Sequence, residues 1–451
     1  MKKNILAQAV ALALMASPLA ASASEAELLK RLDKLAAEVE QLKAELAATK
    51  KKTDTVEKRQ DALAAAPVAP AAVVAASAGT APAVTAPVST AAAASPATML
   101  GPNTVLSSYG EVNYTRPRHD SSKSQADVAR AVIGITHRFD EKTKMVAEFE
   151  WEHAVTSASD KGETEVEQLY VEREFNNGLR AKGGLFLIPA GLLNTNHEPT
   201  AYYGVYRNFV ETAIIPSTWR EAGLGLSQTL DNGITWDTGL TTGFDLSKWD
   251  ATTTDGRTSP LGSIHQEGQM AKSHDLSVFG ALNWRGVPGL LLGGSVFTGK
   301  IGQKTPDFAA QDARLTLWDL HARYTPGKWD LSAVYARGTI SNTEALNQTF
   351  AGNPTPVPSS FYGWYTQAAY QLWKNSDYTL TPFLRYERFN TANSYAAMPA
   401  GLAVATGPNE GVWTVGTNFN VGEGVVLKAD YQKFKVDTAR DRFNLGLGYA
   451  F

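Results

Sequence analysis

An all-β transmembrane barrel of about 16 antiparallel strands, preceded by an N-terminal α-helical coiled coil, is the fold that three observations predict. Residues 101–451 fall into stretches of about ten residues in which apolar and polar side chains alternate. No later segment offers the roughly 20 apolar residues that a membrane-crossing helix needs. Residues 25–63 contain neither Gly nor Pro and repeat apolar positions at intervals of four and three.

The elements follow in chain order. Lys2 and Lys3 precede an apolar run from Ile5 to Met15, and Ala21-Ser22-Ala23 supplies small residues for cleavage, so residues 1–23 read as an export signal. The chain has no cysteine, which excludes a disulfide framework and a lipidated Cys after the signal. In residues 24–63, Leu28, Leu35 and Leu42 fall at one core position of a heptad and Leu32, Val39 and Leu46 at the other. Dimer and trimer both suit that seam, and a single amphipathic helix lying on the barrel is the alternative. Residues 64–100 are rich in Ala, Val, Pro, Ser and Thr without charge, which suits an extended spacer rather than a core.

Within 101–451 the alternation is plain at the end of the chain. Phe443, Leu445, Leu447, Tyr449 and Phe451 share one face, and Arg442, Asn444, Gly446, Gly448 and Ala450 share the other. Ala147, Phe149 and Trp151 likewise alternate with Glu148, Glu150 and Glu152, and Trp318 and Leu320 with Asp319 and His321. One face suits lipid, and a second face this charged demands a hydrated interior. Strand starts are expected near Val105, Asp127, Lys144, Glu165, Leu179, Ala222, Ile234, Asp275, Gly289, Arg314, Trp329, Phe361, Tyr378, Val412, Val425 and Arg440. Tight turns such as Asn176-Asn177-Gly178 and Asp231-Asn232-Gly233 alternate with longer loops, which places the turns and both termini in the periplasm and the loops outside. Sixteen strands enclose an aqueous channel, whereas eight would be filled by side chains.

One connection, about 189–220, is far longer than a loop needs to be and is rich in aromatic and aliphatic residues. Its content predicts that it folds inward and narrows the pore. The run from Gly184-Leu185-Phe186 through His197-Glu198-Pro199 to Ile215-Pro216-Ser217-Thr218-Trp219-Arg220-Glu221 resembles the phosphate-selective porin O and P family. The resemblance spans roughly 101–451, is sharpest in this loop, and implies a homotrimer of barrels in the outer membrane whose third loop constricts each pore while basic residues guide anions. The coiled coil is a recurrent appendage of such porins.

Charge qualifies the anion reading. Residues 1–100 carry 11 of the 42 basic and 9 of the 45 acidic residues, leaving 31 and 36 for the barrel. That mild acidity argues against strong phosphate specificity, because rings of like charge set ion selectivity. Basic inward candidates Arg130, Arg180, Lys182, Arg385 and Lys428 are matched by Glu148, Glu150, Glu152, Glu172 and Glu387. In the long loop, Arg207 and Arg220 with Glu198 and Glu211 are the candidate constriction or solute contacts, and each arginine has a structural alternative as an ion pair with a neighbour such as Glu211 or Glu221.

Other functions find less support. The seven histidines, His119, His137, His153, His197, His265, His274 and His321, show no metal-ligand spacing. No nucleophile and base pair stands out, so no catalytic residue, metal or cofactor is expected; His197 is the one histidine in the long loop. A mildly acidic barrel without a phosphate-cradling Gly-rich loop gives no reason to expect nucleic acid. The expected partners are outer-membrane lipid, further copies of the chain and small hydrophilic or anionic solutes, with the cell wall or a periplasmic partner reached through the coiled coil. The rival function is an envelope tether in which the barrel anchors that coiled coil. The terminal Phe451 resembles the C-terminal pattern read by barrel-insertion machinery, and equally suits the end of a lipid-facing girdle.

Overall fold

The structure is a computed structural model that describes residues 98–396 and 405–451; the expected signal, coiled coil and most of the spacer lie outside those residues. None of the described helices is long and apolar enough to cross a membrane. Sixteen long strands form the wall: β1 Thr104–Pro117, β2 Gln125–Arg138, β3 Thr143–Glu152, β4 Thr164–Glu174, β5 Arg180–Leu187, β6 Arg220–Thr229, β7 Ile234–Thr241 and β8 Ser277–Trp284 make the first half. The second half is β9 Leu290–Lys300, β10 Arg314–Tyr324, β11 Trp329–Ser341, β12 Ser360–Tyr370, β13 Tyr378–Ser394, β14 Glu410–Val421, β15 Val425–Phe434 and β16 Arg442–Ala450. Each begins within two residues of its expected start.

Every strand pairs antiparallel with the next, and β16 returns to β1 over Arg442↔Pro117 to Ala450↔Tyr109. Closure satisfies the backbone groups that an open edge would strand in hydrocarbon. Two short pieces extend this wall: Thr98–Gly101 folds back on the start of β1, and Trp373–Lys374 pairs with Thr379 and Leu380 of β13. Alternation sets the two faces, as in β16, where Leu447 is 44% exposed to the outside and Asn444 is 0% exposed within. At one end Asx and glycine geometry closes the tight turns. Asp140 Oδ1 accepts from the Lys142 and Thr143 amides at 2.8 Å each, and Gly178 and Gly233 take φ of +75° and +82°, where a side chain would be strained.

The long loops leave the other end and do not simply cover it. Val210, Ile214, Ile215 and Trp219 of the 188–219 loop join Phe244, Leu246, Leu261 and Ile264 of the 242–276 loop in one apolar cluster inside the barrel. That cluster packs on inward residues such as Phe279 of β8, Phe297 of β9 and Phe361 of β12, with Trp219 edge-on to Phe297 at 4.6 Å between ring centroids. Lipid gives apolar side chains on the outside no drive to associate, but a wet interior does. Each of these buried side chains contributes about 1.5–3 kcal/mol to holding the loops in. Both loops are therefore packed against the inner face of the wall.

Candidate functional site: the infolded loop and the charged wall

The loop is first closed on itself. Asn194 donates to the carbonyls of Ile188 and Trp219 at 2.7 and 2.8 Å and accepts from the Trp219 amide at 2.7 Å, which pins its two ends together. Glu211 does the same for its middle, accepting from the Leu192 and Leu193 amides at 2.6 and 2.7 Å, from Asn208 at 2.8 Å and from the Tyr365 hydroxyl of β12 at 2.9 Å.

From there the loop runs along the wall, meeting an inward polar group at nearly every step. Tyr202 donates to Glu111 of β1 at 2.8 Å, the Gly204 amide to Asn418 of β14 at 3.2 Å, and the Val205 amide to Asp430 of β15 at 2.6 Å. The Phe209 amide reaches Glu387 of β13 at 2.6 Å and the Gly191 amide Asp319 of β10 at 3.2 Å. Wall carboxylates thus act as acceptors for loop N–H groups, since a backbone donor buried without a partner is costly.

This architecture sorts the sequence-derived site residues. Arg130 is buried, pairs with Glu111 at 2.8 Å and donates to the His197 carbonyl at 2.6 Å. Arg385, 2% exposed, lies under the loop, donating to Glu387 and to the Tyr203 carbonyl at 3.2 Å each. Arg220 is an ion-paired anchor, as one alternative held, but its partners are Glu165 at 2.5 Å and Glu267 at 3.1 Å rather than Glu211 or Glu221. Glu221 instead accepts from Trp219 and Thr242, at 3.0 and 2.5 Å. Arg207 has no carboxylate partner among the described residues; it is half-buried and donates to Ser217, and to Thr218 at 2.9 Å. Glu198 is half-buried on the same loop. Arg180 is set apart, lining a cavity of about 130 Å³ at the tight-turn end with Arg138, Glu141, Lys142, Lys144, Glu172 and Glu174. Lys182 lies over the Phe186 ring at 4.3 Å from its centroid. Of the two loop arginines, Arg207 is therefore the one without a carboxylate ion pair among the described residues, and Glu198 likewise has no ion pair there.

Two residues that sequence reasoning passed over complete the picture. Arg440 stacks on Phe434 at 4.5 Å and Arg442 on Tyr206 at 4.9 Å, neither with an ion-pair partner among the described residues. Alternation places Arg442 on the polar face of its strand without naming a partner, Arg440 ends the Thr438–Arg440 turn before that strand, and only the infolded loop brings Tyr206 under Arg442. Across β3 and β4 the interior is acidic instead, with Glu148, Glu150, Glu152, Glu165 and Glu167 turned inward or half-buried. Carboxylates thus cluster in the β3–β4 sector, whereas in the β15–β16 sector Arg440 and Arg442 stand with Lys428 beside the buried Asp430 and Asp441.

No family model matches the chain. An uncharacterized protein of Aquifex aeolicus (strain VF5) is 27% identical over 357 residues, covering 77% of this chain and 79% of that protein. Among solved structures, the chain is similar to OmpF of Salmonella typhi, solved in complex with daunomycin, with a TM-score of 0.52 and 14% identity over 77% of this chain and 98% of that one. The outer membrane channel DcaP of Acinetobacter baumannii aligns over 77% of this chain and 98% of its own at 14% identity, with a TM-score of 0.46. At such identities the likeness defines the fold alone. That fold is the sixteen-stranded barrel of outer-membrane porins.

Proposed function

We propose that this chain is an outer-membrane porin, a water-filled channel through which small hydrophilic solutes diffuse past the infolded 188–219 loop. The observation that carries the reading is the loop's anchorage: its amides and side chains are bonded to inward groups of β1, β10 and β12–β15, which supports a seated constriction over a surface flap. A barrel serving only as an anchor has no need to order a loop inside its own lumen.

Arg207, Arg440 and Arg442 give the basic side of the constriction and Glu198 with the β3–β4 carboxylates the acidic side. Opposed charge of this kind favours polar over apolar solutes, and the three arginines favour anions such as phosphate at one edge of the path. Assembly as a homotrimer accords with the family resemblance. Single-channel conductance of the purified protein in planar bilayers, with reversal potentials in a salt gradient and phosphate as a blocker, tests the reading. Stepwise openings in threes are expected, with anion preference and phosphate block. Openings without preference reduce the function to a general porin, and absence of conductance refutes the channel and favours the tether.

A further inference from the structure

We propose that Glu148 of β3, Glu167 of β4 and His197 of the infolded loop bind a divalent transition-metal ion of the zinc class, stapling the loop to the wall. The expectation of no metal site rested on sequence spacing, and the fold overrides it by bringing together residues that spacing keeps apart. One ligand atom from each of the three lies within 4.8 Å of the others.

The convergence has a specific local cause. Glu148 pairs with Gln168 and Phe149 with Val166, so Glu167 is the extra residue of a β-bulge. A bulge re-aims side chains, and here Glu167 turns inward to 0% exposure while Leu169 and Val171 beyond it face outward.

Around a neutral His197 ring, counting hydrogens leaves the cluster short of positive charge. His197 Nδ1 is 3.0 Å from the Asn194 carbonyl oxygen, which can only accept, so Nδ1 carries a hydrogen, and in the neutral ring Nε2 then offers its lone pair. A backbone carbonyl on the far nitrogen is the usual orienting contact of a metal-binding histidine. Nε2 is 2.8 Å from Glu167 Oε1 and 2.7 Å from the Tyr109 hydroxyl, and that hydroxyl is 2.6 Å from Glu167 Oε2. With the ring neutral, three acceptors, Nε2, Oε1 and Oε2, share one hydroxyl hydrogen, and the buried Glu167 Oε1 is left without a hydrogen-bond donor. Glu148 receives Gln168 Nε2 on Oε2 at 2.6 Å, leaving Oε1 uncommitted by that bond.

Nearby charge does not resolve the deficit. Glu150 adds another buried carboxylate on β3, while Arg130, the neighbouring cation, is committed to Glu111. A dication neutralises two carboxylates and accepts an imidazole nitrogen at once. One nitrogen with two carboxylates suits zinc, whose bonds to both are about 2.0–2.2 Å long, whereas calcium and magnesium favour all-oxygen sites. Tyr109 then holds Glu167 in place by its hydrogen bond.

The test is calorimetric titration of the purified full-length protein with zinc chloride after chelator treatment and dialysis. One saturable zinc per chain is expected, not reproduced by calcium or magnesium. The affinity falls at least tenfold in both Glu148→Gln and Glu167→Gln, each shown to be folded by heat-modifiable migration. Glu148→Gln keeps an acceptor for Gln168, so it decides the matter should the Glu167 variant not fold. In the wild type, zinc also slows amide exchange across residues 194–198. Absence of a saturable zinc, or uptake unchanged in the folded variants, overturns the site and leaves a proton on His197 as the charge that closes the cluster.

Discussion

Glu211 is the side chain on which the seating of the 188–219 loop turns, and Glu211→Gln isolates its contribution. The carboxylate accepts four hydrogen bonds, two of them on Oε1 from the Leu192 and Leu193 amides and two on Oε2 from Asn208 and Tyr365. Glutamine keeps its oxygen toward the two amides but sets an NH₂ where Oε2 was. Tyr365 can turn to accept from it, since a phenol both donates and accepts, but Asn208 Nδ2 cannot, and donor then faces donor. The variant thus loses at least one hydrogen bond to a charged acceptor and weakens the two that remain. A hydrogen bond to a charged group contributes about 1.5–3 kcal/mol, so a loss of about 2–4 kcal/mol from the seated loop is expected. At about 1.4 kcal/mol per factor of ten, the unseated population rises roughly 30- to 1000-fold. Hydrogen exchange at the Leu192 and Leu193 amides reads this directly, because both are protected by Glu211 and lie in no strand. Planar-bilayer recordings of the same variant should show noisier, higher-conductance openings. Exchange at these two amides within twofold of wild type, in a folded barrel, would refute the assignment of Glu211 as the keystone.

Other predictions concern the same interior. Gly191→Ala should also unseat the loop, because Gly191 has φ +66° and a methyl there would collide with Glu211 Oε1; unchanged exchange at Leu192 would count against it. Replacing Arg440 and Arg442 together by Gln should move the reversal potential in a salt gradient toward cation preference while leaving heat-modifiable migration unchanged; an unaltered potential would place both outside the solute path. Glu267, in the 242–276 loop, carries a pH dependence. Burial pushes its carboxyl up, but the hydrogen bond from His265 and the charge of Arg220 outweigh burial and hold it below the ordinary 4.5. A lowered folded value means that the stabilisation is fully present above 4.5 and is lost as pH falls through the folded value. Glu267→Gln should therefore lower the thermal midpoint in detergent at pH 7 and make no difference at about pH 2, and a pH-independent gap would contradict the linkage.

How much was legible in the chain follows from what each signal measures. Strand positions were readable because lipid and water impose opposite demands on alternate side chains, and that two-residue period is local. Leu445 and Asn444 announce their faces without knowledge of any partner. The 188–219 loop stood out by its length and its apolar content, which are likewise local signals. What the chain withheld is the pairing of charges across the lumen. Arg130 and Arg385 read as inward bases and Arg220 as a loop base with an ion-pair alternative, yet the contacts that bury them, to the His197 and Tyr203 carbonyls and to Glu165 and Glu267, come from the loops and from a distant strand. The bulge at Glu167 left a trace, two consecutive polar residues where alternation allows one, but the register shift that turns Glu167 inward belongs to the pairing with β3. The packing of the 242–276 loop had no periodic signature at all.

The order in which the loop's partners are synthesised carries a consequence for assembly. The acceptors of the Gly191, Phe209, Gly204 and Val205 amides, namely Asp319, Glu387, Asn418 and Asp430, all lie far downstream of the loop, the last of them on the penultimate strand. Contacts of such long sequence separation form late, because chain closure precedes them. The barrel wall must therefore insert and zip shut around an unseated loop, and the gate is threaded into place only afterwards. A newly inserted molecule passes through a wider-bore state before it reaches its working one.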